Sequence, residues 1–207
     1  MKRLLFAGLA LSLLATAACS DANAETKNPV VVMDTSMGTI KIELFAVKAP
    51  ITVKNFLTYV DEKHYDGTTF HRVMPDFMIQ GGGFTPGLTE AKTENDVVAL
   101  EKKTHEPIKN EASNGLHNEV GTVAMARTRK PDSATGQFFI NVEDNTNKLD
   151  PSPQRDPNGY CVFGKVIDGM DVVNKIKKVE TTSVLGGAMA DVPKKDVIIK
   201  SVRREEK

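Results

Sequence analysis

The chain is poor in cysteine, carries no excess charge of either sign, and has no apolar run long enough to cross a bilayer. Its two cysteines are Cys19 and Cys161. The first lies in a leader-like segment, so the mature domain keeps a single thiol and no intramolecular disulfide. Flanked by Tyr160, Val162 and Phe163, Cys161 reads as a small buried hydrophobe. Lysine plus arginine and aspartate plus glutamate are equal at 27 each, which excludes both a basic field for nucleic acid and the acidic excess of a disordered chain. The one long apolar run, LLFAGLALSLLATAA, follows Lys2 and Arg3; it falls short of the ~20 residues a spanning helix needs and ends in small residues, as an export signal does. Two processing sites compete. Ala22-Asn23-Ala24 before Glu25 makes residues 1–24 a signal peptide and leaves a net charge of −1. Alternatively, Thr16-Ala17-Ala18-Cys19 resembles a lipoprotein site, with residues 1–18 removed and Cys19 lipidated; Thr16 in place of the usual Leu tilts the reading to the soluble form. Either route places the mature protein in the periplasm, touching membrane only through such a lipid.

Equally absent are the residue patterns of covalent and metal chemistry. His64, His71, His105 and His117 match neither H-E-x-x-H nor a Cys/His cluster, so no metal site is expected. No G-x-S-x-G elbow exists, and Ser133 sits in a polar stretch. Gly81, Gly82 and Gly83 are not followed by G-K-[ST], which excludes a phosphate loop of that type. No cofactor is expected either.

What the sequence does hold is a succession of short β-rich runs. After a polar tether over residues 25–29, VVVMDTSMGTIKIELF reads as a hairpin turning at Ser36-Met37-Gly38. A helix follows from Pro50, with Val53, Phe56, Leu57 and Val60 at helical spacing, ended by Asp66-Gly67. A strand from Thr68 alternates Phe70, Arg72 and Met74 on one face, breaks at Pro75-Asp76, and resumes from Phe77 to Gln80. Residues 85–108 read as a charged surface loop with a short helix over Asp96 to Lys103. VGTVAMARTR, GQFFINV, YCVFGKVIDG and DVIIKSVRR are further strands, and GMDVVNKIKKVE is a second helix. Many short strands with two widely spaced helices predict an antiparallel barrel or sandwich capped by helices, in one domain over residues 30–204.

The densest chemistry lies in FHRVMPDFMIQGGGF, residues 70–84. Phe77 and Met78, with Phe138 and Phe139 from GQFFINV, offer apolar walls, and Arg72, Gln80 and Gln137 offer directed donors beside them. The competing reading places the apolar residues in the core and Arg72 on an ordinary surface.

Three motifs in register, FHRVMPDFMIQGGGF, MARTRKPDSATGQFFI and VFGKVIDGMDVV, resemble those of exported bacterial cyclophilins, peptidyl-prolyl cis-trans isomerases, over Val30 to Val202. The resemblance implies an eight-stranded antiparallel closed β-barrel, all-β but for two capping α-helices. It implies Arg72 as catalytic, Phe77, Met78, Phe139 and Leu149 as proline-pocket walls, and Gln80 and Gln137 as groups orienting peptide or arginine. Ala126 falls where the family binds substrate backbone, and His71 is the arginine's neighbour. Two positions depart from the family pattern: Lys148 stands where eukaryotic members often carry Trp, and Tyr160 where His is frequent, which implies weak cyclosporin binding. The implied partners are proline-containing segments of unfolded exported proteins, and a monomer is expected. A noncatalytic peptide-binding module using the same pocket is the alternative.

Overall fold

The computed structural model describes residues 28–206; the leader, both processing sites and Cys19 lie outside them. Eight antiparallel strands close a barrel: β1 (Val30–Thr35), β2 (Gly38–Leu44), β3 (Thr68–Val73), β4 (Met78–Gly81), β5 (Thr122–Met125), β6 (Phe138–Asn141), β7 (Val162–Asp168) and β10 (Ile198–Arg204), in the order β1-β10-β3-β4-β6-β5-β7-β2. Closure leaves no free edge in the barrel. Alternation explains β1 and β2, where Val31, Met33, Ile40, Ile42 and Leu44 point inward and are fully buried. Thr35 Oγ1 clamps their turn, accepting from the Met37 amide at 3.1 Å and donating to the Gly38 carbonyl at 2.6 Å.

Helix α1 (Pro50–Asp61) begins at Pro50, whose missing N–H costs nothing in a first turn, and buries Val53, Phe56, Leu57 and Val60. Helix α4 (Met170–Ile176) buries Val172, Val173 and Ile176, and both helices pack into the same interior cluster. Two further helices join these: α2 (Glu94–Leu100) and the single turn α3 (Thr146–Leu149). The expected helix over Asp96 to Lys103 starts earlier because Thr93 caps it, accepting from the Asp96 amide at 3.2 Å while Asp96 accepts from the Thr93 amide at 2.8 Å. It stops at Leu100 because Glu101 turns extended and bridges to Phe84.

Strands β5 and β6 are buried on both faces, so TVAM and FFI read as near-continuous apolar runs, while β4 is buried except at Gln80. Ile79, Val123, Phe138 and Ile140 face the barrel interior, whereas Met78, Ala124 and Phe139 face a second apolar cluster outside it with Leu149 and Val162. A third cluster, Phe84, Leu88, Val184 and Val192, sits beneath a hairpin that the sequence pattern did not announce, β8 (Thr181–Val184) and β9 (Met189–Pro193).

Candidate active site

The placement of Arg72 depends on a bulge. Phe70 pairs with Gly81 and Arg72 with Gln80, leaving His71 as an extra residue. The inserted residue reverses the alternation, so Phe70 and Val73 both enter the interior while Arg72 faces outward with Gln80. The expected shared face of Phe70, Arg72 and Met74 is therefore wrong at Phe70: only Met74 stays with Arg72, its Sδ 3.3 Å from the guanidinium Nη2. The guanidinium Nε lies 3.8 Å from an Asp191 carboxylate oxygen, and the Arg72 side chain is 43% exposed. It is thus loosely held and open to solvent on the side where a ligand would arrive.

Beside Arg72 opens a pocket of about 110 Å³ lined by Phe77, Met78, Gln80, Ala126, Arg127, Phe139, Leu149 and Tyr160. That volume suits a small ring rather than a large cofactor. The walls come from β4, β6, α3 and the loops beside β5 and β7, so residues far apart in sequence converge on one apolar floor with a single polar rim. Phe138 is not among them. It is fully buried in the interior, edge-on to Phe56 at 5.7 Å and to Tyr65 at 5.5 Å, because adjacent residues of a strand face opposite ways.

Gln80 donates from Nε2 to Gln137 Oε1 at 2.9 Å. Gln137 and His71 do not line this pocket; they line an adjoining cavity with Arg72, Gln80, Phe84, Arg127 and residues 187–191. Burial pushes the His71 imidazole down to about 4, so it is uncharged at neutral pH, and its ring packs on Phe84 at 4.8 Å. A neutral neighbour leaves Arg72 as the cation of that strand. Lys148 sits over the Phe77 ring, its Nζ 5.5 Å from the centroid, and so covers that wall with a charge-tipped chain.

Arg127 was missed from sequence. Its guanidinium stacks over the Tyr160 ring at 4.3 Å, donates from Nη2 and Nε to the Gly159 carbonyl at 2.8 and 3.0 Å, and pairs with Asp156. With a side chain only 3% exposed, it is a fixed strut rather than a mobile donor. No spacing in MARTR marks it, since its partners lie across a loop. Asp191 was likewise missed, for the hairpin that carries it had no pattern to read.

The remaining histidines have separate partners: His64 the Gly82 carbonyl at 3.2 Å, His105 the Glu62 carboxylate at 2.7 Å, and His117 the Asp150 carboxylate at 2.6 Å. Among the described residues, no three His, Cys, Asp or Glu side chains gather where a metal ion could sit. Cys161 is buried beside Thr52, and burial pushes its thiol up to about 11, which makes it inert at neutral pH.

Comparison with known proteins agrees with this architecture. Residues 30–204 match the family model described as cyclophilin type peptidyl-prolyl cis-trans isomerase/CLD. The chain is 55% identical over 176 residues to a peptidyl-prolyl cis-trans isomerase of Acinetobacter baylyi, covering 85% of each chain. It is 53% identical over 177 residues to peptidyl-prolyl cis-trans isomerase B of Escherichia coli, covering 86% of this chain and 100% of the relative. In structure it is similar to a cyclophilin type peptidyl-prolyl cis-trans isomerase of Cryptosporidium parvum, solved in the presence of the dipeptide Ala-Pro, with a TM-score of 0.65 and 26% identity over 86% of this chain and 99% of the other. An eight-stranded closed barrel, an arginine beside an apolar pocket and a family match spanning nearly the whole described chain place this protein among the cyclophilin-type peptidyl-prolyl cis-trans isomerases.

Proposed function

We propose that the protein accelerates rotation about X-Pro bonds in extended segments of unfolded or partly folded envelope proteins, and so assists their folding, by noncovalent stabilisation of the twisted bond. The observation that carries this reading is the Arg72 guanidinium at the rim of the apolar pocket, with a thioether and a distant carboxylate as its only side-chain partners among the described residues. An X-Pro bond resists rotation because delocalisation of the nitrogen lone pair gives it double-bond character, with a barrier of about 20 kcal/mol. At the twisted state delocalisation is lost, and the proline nitrogen becomes a hydrogen-bond acceptor. A guanidinium aimed at that nitrogen binds the twisted state more strongly than either planar state, which is the differential binding catalysis requires. Phe77, Met78, Phe139 and Leu149 grip the pyrrolidine ring and exclude water. Ala126 meets the peptide backbone, and the Gln80–Gln137 pair supplies polar anchors at the rim. No bond to the enzyme forms, so no nucleophile is called for.

NMR exchange on a short X-Pro peptide tests this. Arg72→Ala is expected to lower kcat about a hundredfold, the loss typical of one directed donor. Arg72→Lys is expected to restore little, because an ammonium lacks the planar fork. Wild-type rates no faster than those of Arg72→Ala would sink the assignment, and peptide binding without acceleration by either form would favour a noncatalytic module. We place the mature protein in the periplasm as a soluble chain beginning at Glu25. Intact mass measures this directly, since a lipidated Cys19 would overturn it.

A further inference from the structure

Under the pocket runs a chain of buried polar groups that isomerisation itself does not use. Asn118, Asn141 and Asn145 are each 0% exposed. Asn145 Nδ2 donates to the Phe77 carbonyl at 2.7 Å and to Asn141 Oδ1 at 2.9 Å. Asn141 Nδ2 donates to Asn118 Oδ1 at 3.1 Å and to Thr122 Oγ1 at 2.9 Å. Asn118 Nδ2 donates to the Tyr160 carbonyl at 3.2 Å and to Asp150 Oδ1 at 2.9 Å, and its backbone amide reaches the same carboxylate oxygen at 2.9 Å. Backbone bonds complete the web: the Leu149 amide donates to the Asn145 carbonyl at 2.8 Å, and the Tyr160 amide donates to the Leu149 carbonyl at 2.9 Å. Phe77, Leu149 and Tyr160, three pocket residues from separate segments, are therefore tied to one polar run.

Burying three amides is costly unless each is bonded, and of their side-chain atoms Asn145 Oδ1 alone lacks a partner; apolar side chains of equal volume would fill the space without that demand. What an apolar filler lacks is direction, since dispersion contacts do not fix the register of one loop against another. A bonded run does, and only when it is nearly complete.

We propose that Asn118, Asn141, Asn145 and Asp150 are positioning residues for the pocket: they set the separation of Phe77 from Leu149 and Tyr160, and so how tightly a proline ring is held, without touching the peptide. The inference rests on reading this pocket as the proline site. A ring grip acts alike on planar and twisted bonds, so its loss raises KM and leaves kcat alone. Arg72, on β3, has no hydrogen bond to the run.

The test measures kcat and KM on an X-Pro peptide for a small set of variants. Asn145→Leu keeps the branched outline and removes both donors; Asp150→Leu removes the acceptor; Asp150→Asn keeps an oxygen that can accept from Asn118. The two leucine variants are expected to raise KM about tenfold with kcat within twofold, and Asp150→Asn to stay within twofold of wild type in both. Val202→Ala, in the barrel interior far along the chain, is the control: it should lower thermal stability and leave KM unchanged. Phe77→Ala separates the two layers of inference. If it leaves KM unchanged, the pocket reading fails. If it raises KM while Asn145→Leu and Asp150→Leu do not, the positioning proposal is overturned. Should the leucine variants not fold, the wild-type chain still decides: the Asn118 and Asn145 Nδ2 proton signals are expected to shift as peptide is titrated in, and unmoved signals would reject the proposal.

Discussion

His71 shows how much the neighbour of a key residue depends on burial. It is only 5% exposed, its Nδ1 has no protein partner, and burial holds its pKa near 4 against an ordinary 6.5. Because the unfolded chain takes up this proton at a higher pH than the folded one, His71 contributes full stability above 6.5, and the contribution is lost as pH falls toward about 4. By pH 5 the loss is about 2 kcal/mol. Urea titrations at pH 7.5 and pH 5 read it: His71→Gln is expected to flatten the pH dependence by that amount, and parallel curves would show that the imidazole is not the cause. That His71 neighbours Arg72 was visible in sequence. That one of the two stays uncharged followed only from packing against Phe84.

At the scale of elements, the β3 bulge and the glycines after β4 decide which side chains meet. Periodicity placed Phe70 and Arg72 together, and a single unpaired residue separated them, since a period-2 pattern carries no mark of an insertion. Gly83 has a similar hidden role. A Cβ there would stand 2.5 Å from Gln137 Cδ and Nε2, so the glycine makes room for the amide that bonds Gln80. Gly83→Ala is expected to displace Gln137 and lower kcat/KM severalfold in the exchange assay, with secondary structure by circular dichroism unchanged; full activity would show that Gln137 needs no such room. The hairpin of β8 and β9, which brings Asp191 to Arg72, left no readable pattern because more than half of its residues are polar or small and its apolar ones pack with the distant Phe84 and Leu88.

For the molecule as a whole, the barrel separates two apolar clusters across one wall of strands, and Phe138 and Phe139 stand back to back in it. The two rings should therefore fail differently. Phe138→Ala opens a hole among Phe56, Tyr65 and Phe70 and is expected to cost about 3–5 kcal/mol of stability. Phe139→Ala removes a wall of the pocket, where space already exists, so a smaller stability loss and a larger rise in KM are expected. Denaturant melts and kinetics on both variants check the contrast, and equal effects would contradict the two-cluster picture. The run of strands, the helix begun by Pro50, and the coincidence of an arginine with apolar and amide side chains in residues 70–84 are legible along the chain, because these are local patterns with a period or a composition. That Phe138 belongs inside, that Arg127 braces Tyr160, and that three buried asparagines tie the pocket together emerge only from the folded chain. Those outcomes rest on strand register and on contacts between segments far apart in the chain, and local spacing does not encode them.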